Sequence, residues 1–375
     1  MSRKSIVLII IVFATLFFNS LAFCYQEKDL QALKSGSRNL HGSDLSGADL
    51  SGLALQNIVL TGANLSNTNL SNANLTSASL NYANLKGANL NGSVLKFSDL
   101  EYSSLVKATM VGTVFQAANL KHADLSQSTI KDSNFTNSIL INARVNGSKI
   151  KNSSFTFTQL VGSDFSHSSI VGSDFSDSDL SRSRFNRVIL IESTVVNSGL
   201  VKADFRDSNL TQVNLRISSL TGANFSGSVL QKTNLERTYN VGAIFKNAFI
   251  DDIAMLNSYC VGCDFNSAVL KDSNFTEADF RGVNLRNAVC IGSDFSFVDF
   301  RETGFDLIHI DSLKEMGAEF NFHALSNVQE YGADFHNVEF TNVKFQGAKI
   351  RERWKKMITN YKVIYGDSII WTQKK

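Results

Sequence analysis

Residues 61–90 read TGANLSNTNLSNANLTSASLNYANLKGANL, and every fifth residue in this stretch is Leu. The same spacing places an apolar residue at 54 of the 55 fifth positions from Leu40 to Ile310, with Asn240 as the exception. A helix, with a period of about 3.6 residues, or a strand, with a period of about 2, cannot bring residues five apart onto one face. A register kept over this length therefore predicts a repeat architecture.

The other positions of each five also follow a pattern. Two residues before each apolar centre lies a small residue, and Asp or Asn often separates the two, as in Ala63-Asn64-Leu65 and Ser163-Asp164-Phe165. We expect the centre and the small residue to point inward and the other three residues to point outward. Asp and Asn suit turns because their side chains hydrogen-bond nearby backbone groups. The two residues after the centre vary freely and are mostly polar.

The spacing of the Phe residues predicts the length of one coil. Like residues recur twenty apart, whereas a coil of fifteen residues would stack Phe165 on Leu180. Four fives per coil form a solenoid of square section, with two Phe columns on opposite walls. The columns are Phe165, Phe185, Phe205, Phe225, Phe245 and Phe265, and Phe115, Phe135, Phe155 and Phe175.

These triplets carry a family resemblance. Ala73-Asn74-Leu75, Ala123-Asp124-Leu125 and Ala203-Asp204-Phe205 match the motif A-(D/N)-L-x-x, and the chain resembles the pentapeptide-repeat proteins over residues 40–310. The resemblance implies an all-β fold, a right-handed quadrilateral β-helix with four pentapeptides per 20-residue coil and short helical caps. It also raises the alternative of a DNA mimic that binds gyrase, and it suggests a homodimer joined through the C-terminal cap.

The N-terminus predicts an exported protein. Arg3 and Lys4 precede an apolar run, Ile6 to Phe18, which is followed by the small residues Ser20 and Ala22. This order is typical of a cleaved signal peptide. An uncleaved membrane tether through Ile6–Phe23 and a lipoprotein anchored at Cys24 are the alternatives. We therefore expect a periplasmic or extracellular location, with membrane anchoring as the second choice.

The pattern divides the chain into six segments. Tyr25 to Ser35 predicts a short amphipathic helix over the first coil, and a basic helix with Trp354 and Met357 on one side follows the last repeats. The predicted segments are a signal peptide (1–22), an N-terminal cap (23–39), the β-helix (40–310), an irregular or helical excursion (311–332), the final repeats (333–350) and a C-terminal cap (351–375).

No residue constellation predicts catalysis. The six His residues share no metal-ligand spacing, and Ser residues belong to the repeat, so we expect no enzyme activity, metal, cofactor or small-molecule substrate. The formal net charge is +2, and it falls to about zero once Arg3 and Lys4 are removed. Nucleic acid binding requires more positive charge, and a DNA mimic requires a strongly acidic surface. The sequence thus favours a non-enzymatic scaffold with an unidentified protein partner.

Three local features remain open at this stage. Cys260 and Cys263 predict either small buried residues or a disulfide across a turn, and a redox pair is the least favoured alternative. Asn240 requires a backbone partner or a local bulge, because an unpaired buried amide is costly. An aliphatic column after the centres is a candidate docking stripe, although β-branched residues also suit a pleated wall. The stripe comprises Ile141, Val161, Val201, Val241 and Val261.

Overall fold

The computed structural model describes residues 25–301, 339–341, 344–359 and 369–372. The predicted signal peptide and excursion lie outside these ranges. Two units, Met1–Ile139 and Leu140–Lys375, share one architecture. In both units the residue before each centre pairs in parallel with the residue twenty positions later, as Asn64 does with Asn84 and Asp204 with Asn224. The predicted coil of four fives and the all-β solenoid fold are thus confirmed.

The hydrogen bonds of one five show why the repeat has this length. In residues 203–207, four of the five backbone N–H groups donate to backbone carbonyls, one across the corner and three in the neighbouring coils. These bonds join Ala203 N to Leu200 O (3.0 Å), Asp204 N to Ser183 O (2.9 Å), Phe205 N to Asn224 O (2.7 Å) and Asp207 N to Ser226 O (3.0 Å).

The fifth N–H group explains the Asp or Asn of the motif. The Arg206 N–H donates to Oδ1 of Asp204 at 3.1 Å, so the side chain supplies the acceptor that the backbone lacks. The same bond joins Ser166 N to Asp164 Oδ1 at 3.0 Å. Since every N–H group of such a five has a partner, proline would remove a bond at any position. The absence of proline from the chain agrees with this requirement.

The small residue two positions before the centre is mostly buried, and several of its Ser hydroxyls bond to a carbonyl of the preceding coil. Ser198 Oγ donates to the carbonyl of Phe175 at 3.0 Å, and Ser218 Oγ donates to that of Val195 at 2.6 Å. Ile58 and Ile253 are also buried at this position, so it accepts an aliphatic side chain in some coils. The predicted inward direction of the centre and the small residue is confirmed.

The second residue after the centre is more restricted than the sequence analysis predicted. Asn67, His167 and Asp207 have φ values of 56°, 59° and 56°, in the left-handed region, and Gly162 has 68°. This conformation favours Gly, Asn and Asp. Lys202 and Ile217 adopt the same conformation, with φ of 58° and 62°, so the identity of this residue varies as expected while its backbone conformation is fixed.

Three-residue strands form on one wall of each unit, the wall centred on Met110 in the first unit and on Ile170 in the second. They are β1 (Thr109–Val111), β2 (Thr129–Lys131), β3 (Lys149–Lys151), β4 (Ser169–Val171), β5 (Ile189–Ile191), β6 (Val229–Gln231), β7 (Phe249–Asp251), β8 (Val269–Lys271) and β9 (Val289–Ile291). On these walls strands occur where the residue before the centre is neither Asp nor Asn. Asn209 separates β5 from β6 because its Oδ1 accepts the Thr211 N–H at 3.0 Å.

The Phe columns fill the core as predicted. In the first unit the rings of Phe115 and Phe135 stack with centroids 4.7 Å apart, and in the second unit Phe165 and Phe185 stack at 4.9 Å. Phe175 meets Phe165 edge-on at 5.8 Å and 86°, so the columns contact each other across the interior. Stacked and edge-to-face rings both stabilise a core beyond their buried area.

The repeat register resumes after residue 339. β10 (Glu339–Thr341) pairs with β9, and Lys344 and Lys349 pair with Asp294 and Asp299. These pairs are 50 residues apart in the sequence instead of 20. Phe345 consequently occupies a centre position, and its ring stacks on Phe295 at 5.7 Å.

Short helices lie near both ends of the solenoid. Helix α1 (Glu27–Lys34) buries Leu30, and Asp29 Oδ2 accepts the Asp44 N–H at 2.8 Å, which confirms the predicted N-terminal helix. At the other end β11 (Lys349–Arg351) pairs with β12 (Ile370–Thr372). Between them, a 3₁₀ turn (Glu352–Trp354) and helix α2 (Lys355–Thr359) replace the single predicted helix, and the Met357 side chain lies outside the described residues.

The inward and outward positions can be tested with two variants of one five. We expect Phe205→Asp to lower the free energy of unfolding by at least about 3–5 kcal/mol, because it removes a buried ring and buries a charge. The control is Asp207→Asn, which keeps a residue that tolerates positive φ and should change stability little. Chemical denaturation measures both, and equal losses would contradict the assignment.

Candidate interaction surfaces

The candidate docking stripe does not form a continuous apolar surface. Val241 and Val261 are only 3% exposed, and the other three residues are half-buried. Tyr239 and Tyr259 lie on the same wall and stack with centroids 5.0 Å apart. Burial, with a smaller contribution from Tyr259, raises the pKa of the Tyr239 phenol. The column lies in the corner turns that follow the centres, and its burial leaves little apolar surface for a docking stripe.

Cys260 and Cys263 form a disulfide across one corner of a coil. Both residues are fully buried, and their Cα atoms are 5.3 Å apart. Of the alternatives that the sequence left open for these two residues, the structure contains the disulfide. A redox partner could not reach either sulfur in the folded protein. Cys290 is free and buried, and burial raises the pKa of its thiol well above the ordinary range.

Asn240 occupies a core centre with a regular backbone. Its N–H donates to the Tyr259 carbonyl at 2.7 Å, so the chain does not bulge. Its Nδ2 donates to Thr238 Oγ1 at 2.8 Å, while its Oδ1 has no hydrogen-bond partner. The predicted backbone partner or bulge is therefore wrong, because the corner hydroxyl of Thr238 takes that place. Because the Asn240 Oδ1 atom is buried without a partner, part of the expected destabilisation of about 1–3 kcal/mol remains.

The basic side chains near residue 185 lie beside carboxylates. The ion pairs are Arg184–Asp164 (3.0 Å), Arg206–Asp204 (2.6 Å) and Arg187–Asp207 (3.9 Å). Burial opposes ionisation of Asp204, but hydrogen bonds from Arg206 outweigh it and hold the pKa of that carboxyl below its ordinary value. Paired charges of this kind form a solvated face and not a phosphate-binding patch.

A different apolar surface lies on the wall of strands in the second unit. Val229, Phe249, Val269 and Val289 precede the centres of β6 to β9, and the parallel register places them in one outward column. The Phe249 side chain is 39% exposed. We call this column the strand face. Its signal in the sequence is the apolar residues at positions where the repeat has Asp or Asn, one residue before the centres and not after them.

A polar column runs beside the strand face. Asp251 accepts hydrogen bonds from Gln231 Nε2 at 3.0 Å and from Lys271 Nζ at 3.2 Å. Only 8% of Asp251 is exposed, so this ion pair is partly removed from water. The strand face thus combines an apolar column with fixed charges at its border.

An aromatic column lies on a corner of the first unit. Tyr82, Tyr102 and His122 stack in sequence, with centroid separations of 5.2 and 4.8 Å and nearly parallel rings. We call these three residues the aromatic ladder. Their signal in the sequence is the recurrence of aromatic side chains twenty residues apart at the second position after the centre.

The family comparison agrees with this geometry. A family model for pentapeptide repeats matches residues 54–92, 93–132, 130–166, 158–195, 198–237 and 263–301, which together make up more than half of the chain. The chain belongs to the pentapeptide repeat family. No curated protein sequence matches it.

Solved pentapeptide repeat structures are similar to this protein at low identity. HetL, involved in heterocyst differentiation regulation in the cyanobacterium Nostoc, is 22% identical, with 69% of this chain and 92% of HetL covered and a TM-score of 0.21. QnrB1, a plasmid-mediated fluoroquinolone resistance protein, is 18% identical, with coverages of 54% and 89% and a TM-score of 0.34. A protein of the Arabidopsis thaliana thylakoid lumen is 27% identical, with coverages of 26% and 66% and a TM-score of 0.22.

Among the residues that the structure describes, no group of three His, Cys, Asp or Glu side chains lies close enough together to hold a metal ion. Within those residues, no helix is both long and apolar enough to span a bilayer.

The corner disulfide predicts a specific pattern of thiol reactivity. We expect iodoacetamide to leave Cys260, Cys263 and Cys290 unmodified in the native protein. Of these three, only Cys290 should react in denaturant without reductant, and all three should react after reduction. Peptide mapping by mass spectrometry measures this pattern. Labelling of Cys260 or Cys263 in unreduced, denatured protein would contradict the disulfide.

Proposed function

We propose that this pentapeptide repeat protein is an exported, non-enzymatic scaffold that binds a partner protein through the strand face. The observation that carries the proposal is the outward apolar column of Val229, Phe249, Val269 and Val289 on a flat parallel sheet. The free energy falls when a partner removes apolar side chains from water. A partly exposed aromatic ring is also a common anchor of protein interfaces.

The backbone below the strand face makes it a rigid surface. Residues at the edges of β6 to β8 bond to neighbouring coils, as Val229 N does to Ser208 O (2.8 Å) and Phe249 N to Ser228 O (2.9 Å). A partner would therefore meet side chains that are already in place, which lowers the entropic cost of binding. The bordering Asp251–Lys271 pair, at 3.2 Å, would set the orientation of a partner with complementary charges.

Export is supported by the N-terminal sequence, in which Arg3 and Lys4 precede the apolar run from Ile6 to Phe18. The gyrase-binding alternative is less well supported. A DNA mimic needs an acidic surface, whereas this chain has a formal net charge of +2 and its second unit pairs several Arg side chains with carboxylates. A scaffold tethered through Ile6–Phe23 remains the second candidate.

The export step can be tested by the intact mass of protein recovered from fractionated cells. We expect a loss that corresponds to residues 1–22, in a soluble exported fraction. A full-length chain in the membrane fraction would support the tethered scaffold. A full-length chain in the soluble cytoplasmic fraction would overturn export altogether.

The strand face can be tested by site-specific photo-crosslinking in cells. A benzoyl-phenylalanine replaces Phe249, and the matched control carries it at Phe157, an exposed aromatic residue at a corner of the same unit. We expect position 249, but not position 157, to form an adduct with one defined protein.

Three outcomes would contradict the strand-face proposal. They are no adduct at position 249, identical adducts from both positions, and an adduct within the chain itself. An adduct of twice the chain mass would replace the proposed partner with a second copy of this protein. Mass spectrometry of the adducts separates these cases.

A further inference from the structure

The exception to the apolar core lies next to the disulfide. Asn240, the one polar residue among the repeat centres that the structure describes, is fully buried. Cys260 occupies the same core column one coil later, because Tyr239 pairs in parallel register with Tyr259. Cys263 completes the disulfide across the next corner. A change in the bonding of either sulfur therefore alters the surroundings of the buried amide.

The orientation of the Asn240 amide is fixed by Thr238. The Thr238 hydroxyl donates to the Leu235 carbonyl at 2.6 Å, which uses its proton, and it accepts from Asn240 Nδ2 at 2.8 Å. The carboxamide oxygen consequently points away from Thr238, and it has no hydrogen-bond partner in the oxidised protein. A buried acceptor that lacks a donor is destabilising.

Cys263 occupies a position at which the repeat often places a hydroxyl donor. Ser258 Oγ and Ser218 Oγ donate to the carbonyls 23 residues earlier, at 2.7 and 2.6 Å. Cys263 Sγ lies 3.1 Å from the Asn240 carbonyl oxygen in the same arrangement. A thiol at this position donates to the carbonyl, whereas a disulfide sulfur carries no proton. The oxidised pair therefore gives up a hydrogen bond that the repeat makes elsewhere.

Reduction of the pair supplies two donors beside Asn240. The Cys263 thiol donates to the Asn240 carbonyl, and the Cys260 thiol lies one coil spacing of ~4.8 Å further along the column from the unpaired amide. Thiols are weak donors. A weak hydrogen bond is nevertheless favourable when the alternative is a buried acceptor with no donor. The dithiol form thus suits the polar centre better than the disulfide does.

We propose that Asn240 is a positioning residue that stabilises the dithiol form of Cys260 and Cys263, and that this pair is a reversible redox element of the core. Oxidation forms the Cys260–Cys263 bond and transfers two electrons to a small-molecule disulfide such as glutathione disulfide. That molecule leaves as two thiols, which carry the two protons. Because both sulfurs are buried, the exchange takes place while this coil is open.

Other roles for the pair fit these contacts less well. A disulfide that only strengthens the fold would be served best by an apolar centre, such as Leu220 and Phe280 in the same column. A catalytic pair requires an accessible thiolate, and both sulfurs belong to fully buried residues. The proposal concerns the interior of the second unit and does not depend on the strand face, so either proposal can fail without the other.

The test measures the equilibrium between dithiol and disulfide for the whole chain in glutathione buffers of graded ratio. Protein that starts oxidised and protein that starts reduced are each refolded from denaturant in every buffer, then quenched with acid and digested. Mass spectrometry of the peptides that contain Cys260 and Cys263 gives the oxidised fraction. We expect both starting forms of the wild type to converge on one half-oxidation ratio.

Asn240→Leu introduces the residue type of the preceding centre in the column, Leu220, and should stabilise the disulfide relative to the dithiol. We expect half-oxidation at a [GSH]²/[GSSG] ratio higher by about fivefold or more. The matched control is Met255→Leu at the preceding buried centre, which should leave the ratio unchanged. Thermal melts of the oxidised and reduced forms establish that all variants are folded.

Four outcomes would overturn the proposal. Starting forms that do not converge would show that the pair is closed to exchange. A reduced wild-type chain that does not refold would make the disulfide a condition of the fold. An unchanged ratio in Asn240→Leu, or an equal shift in Met255→Leu, would show that Asn240 does not set the balance between the two forms.

Discussion

The structure depends on a single requirement: five backbone N–H groups per repeat must find five acceptors. Neighbouring coils accept three, the corner accepts one, and the side chain before the centre accepts the last, as Asp204 does for Arg206. Within the walls of a parallel solenoid, every backbone N–H group is used in a hydrogen bond. The residue type at each position of the motif is therefore determined by a hydrogen bond or by the space that its side chain fills. An unmet donor in this interior would cost about 1–3 kcal/mol. The composition, the coil length and the exclusion of proline all follow from this hydrogen-bond requirement.

The sequence predicted the core because the core is periodic. A register that runs from Leu40 to Ile310 and Phe residues twenty apart determine the centres, the coil length and the two aromatic columns. The left-handed corners were missed since a backbone dihedral is not visible in residue type: Tyr82 and Lys202 adopt φ of 60° and 58° alongside Gly62 at 66°. Neighbouring coils hold the corner in place whichever residue occupies it.

The surfaces were harder to predict than the core, because their meaning depends on neighbours that the fold supplies. Val241 and Val261 matched an outward position yet are buried, whereas Phe249 stood in the place of a structural Asp or Asn and is exposed. Asn240 was correctly identified as an exception, but its hydrogen-bond partner, the hydroxyl group of Thr238, was not predicted. The fold of the coil brings that hydroxyl group to the Asn240 amide. Burial on a solenoid wall is decided by the side chains two residues and twenty residues away.

The change of register near the C-terminus has a consequence for how such a chain tolerates insertion. Asp294 pairs with Lys344 where a regular coil would have used a residue twenty positions on. Loop-closure entropy grows only with the logarithm of length, so spanning 50 residues in place of 20 costs about 0.8 kcal/mol more. A parallel coil can therefore be interrupted at a corner and resumed in register at a cost similar to that of one lost core methylene group. The corners of this solenoid are therefore suitable points for inserting a foreign loop or a whole domain. The backbone hydrogen bonds between the coils before and after the insertion would hold its two ends one coil spacing apart.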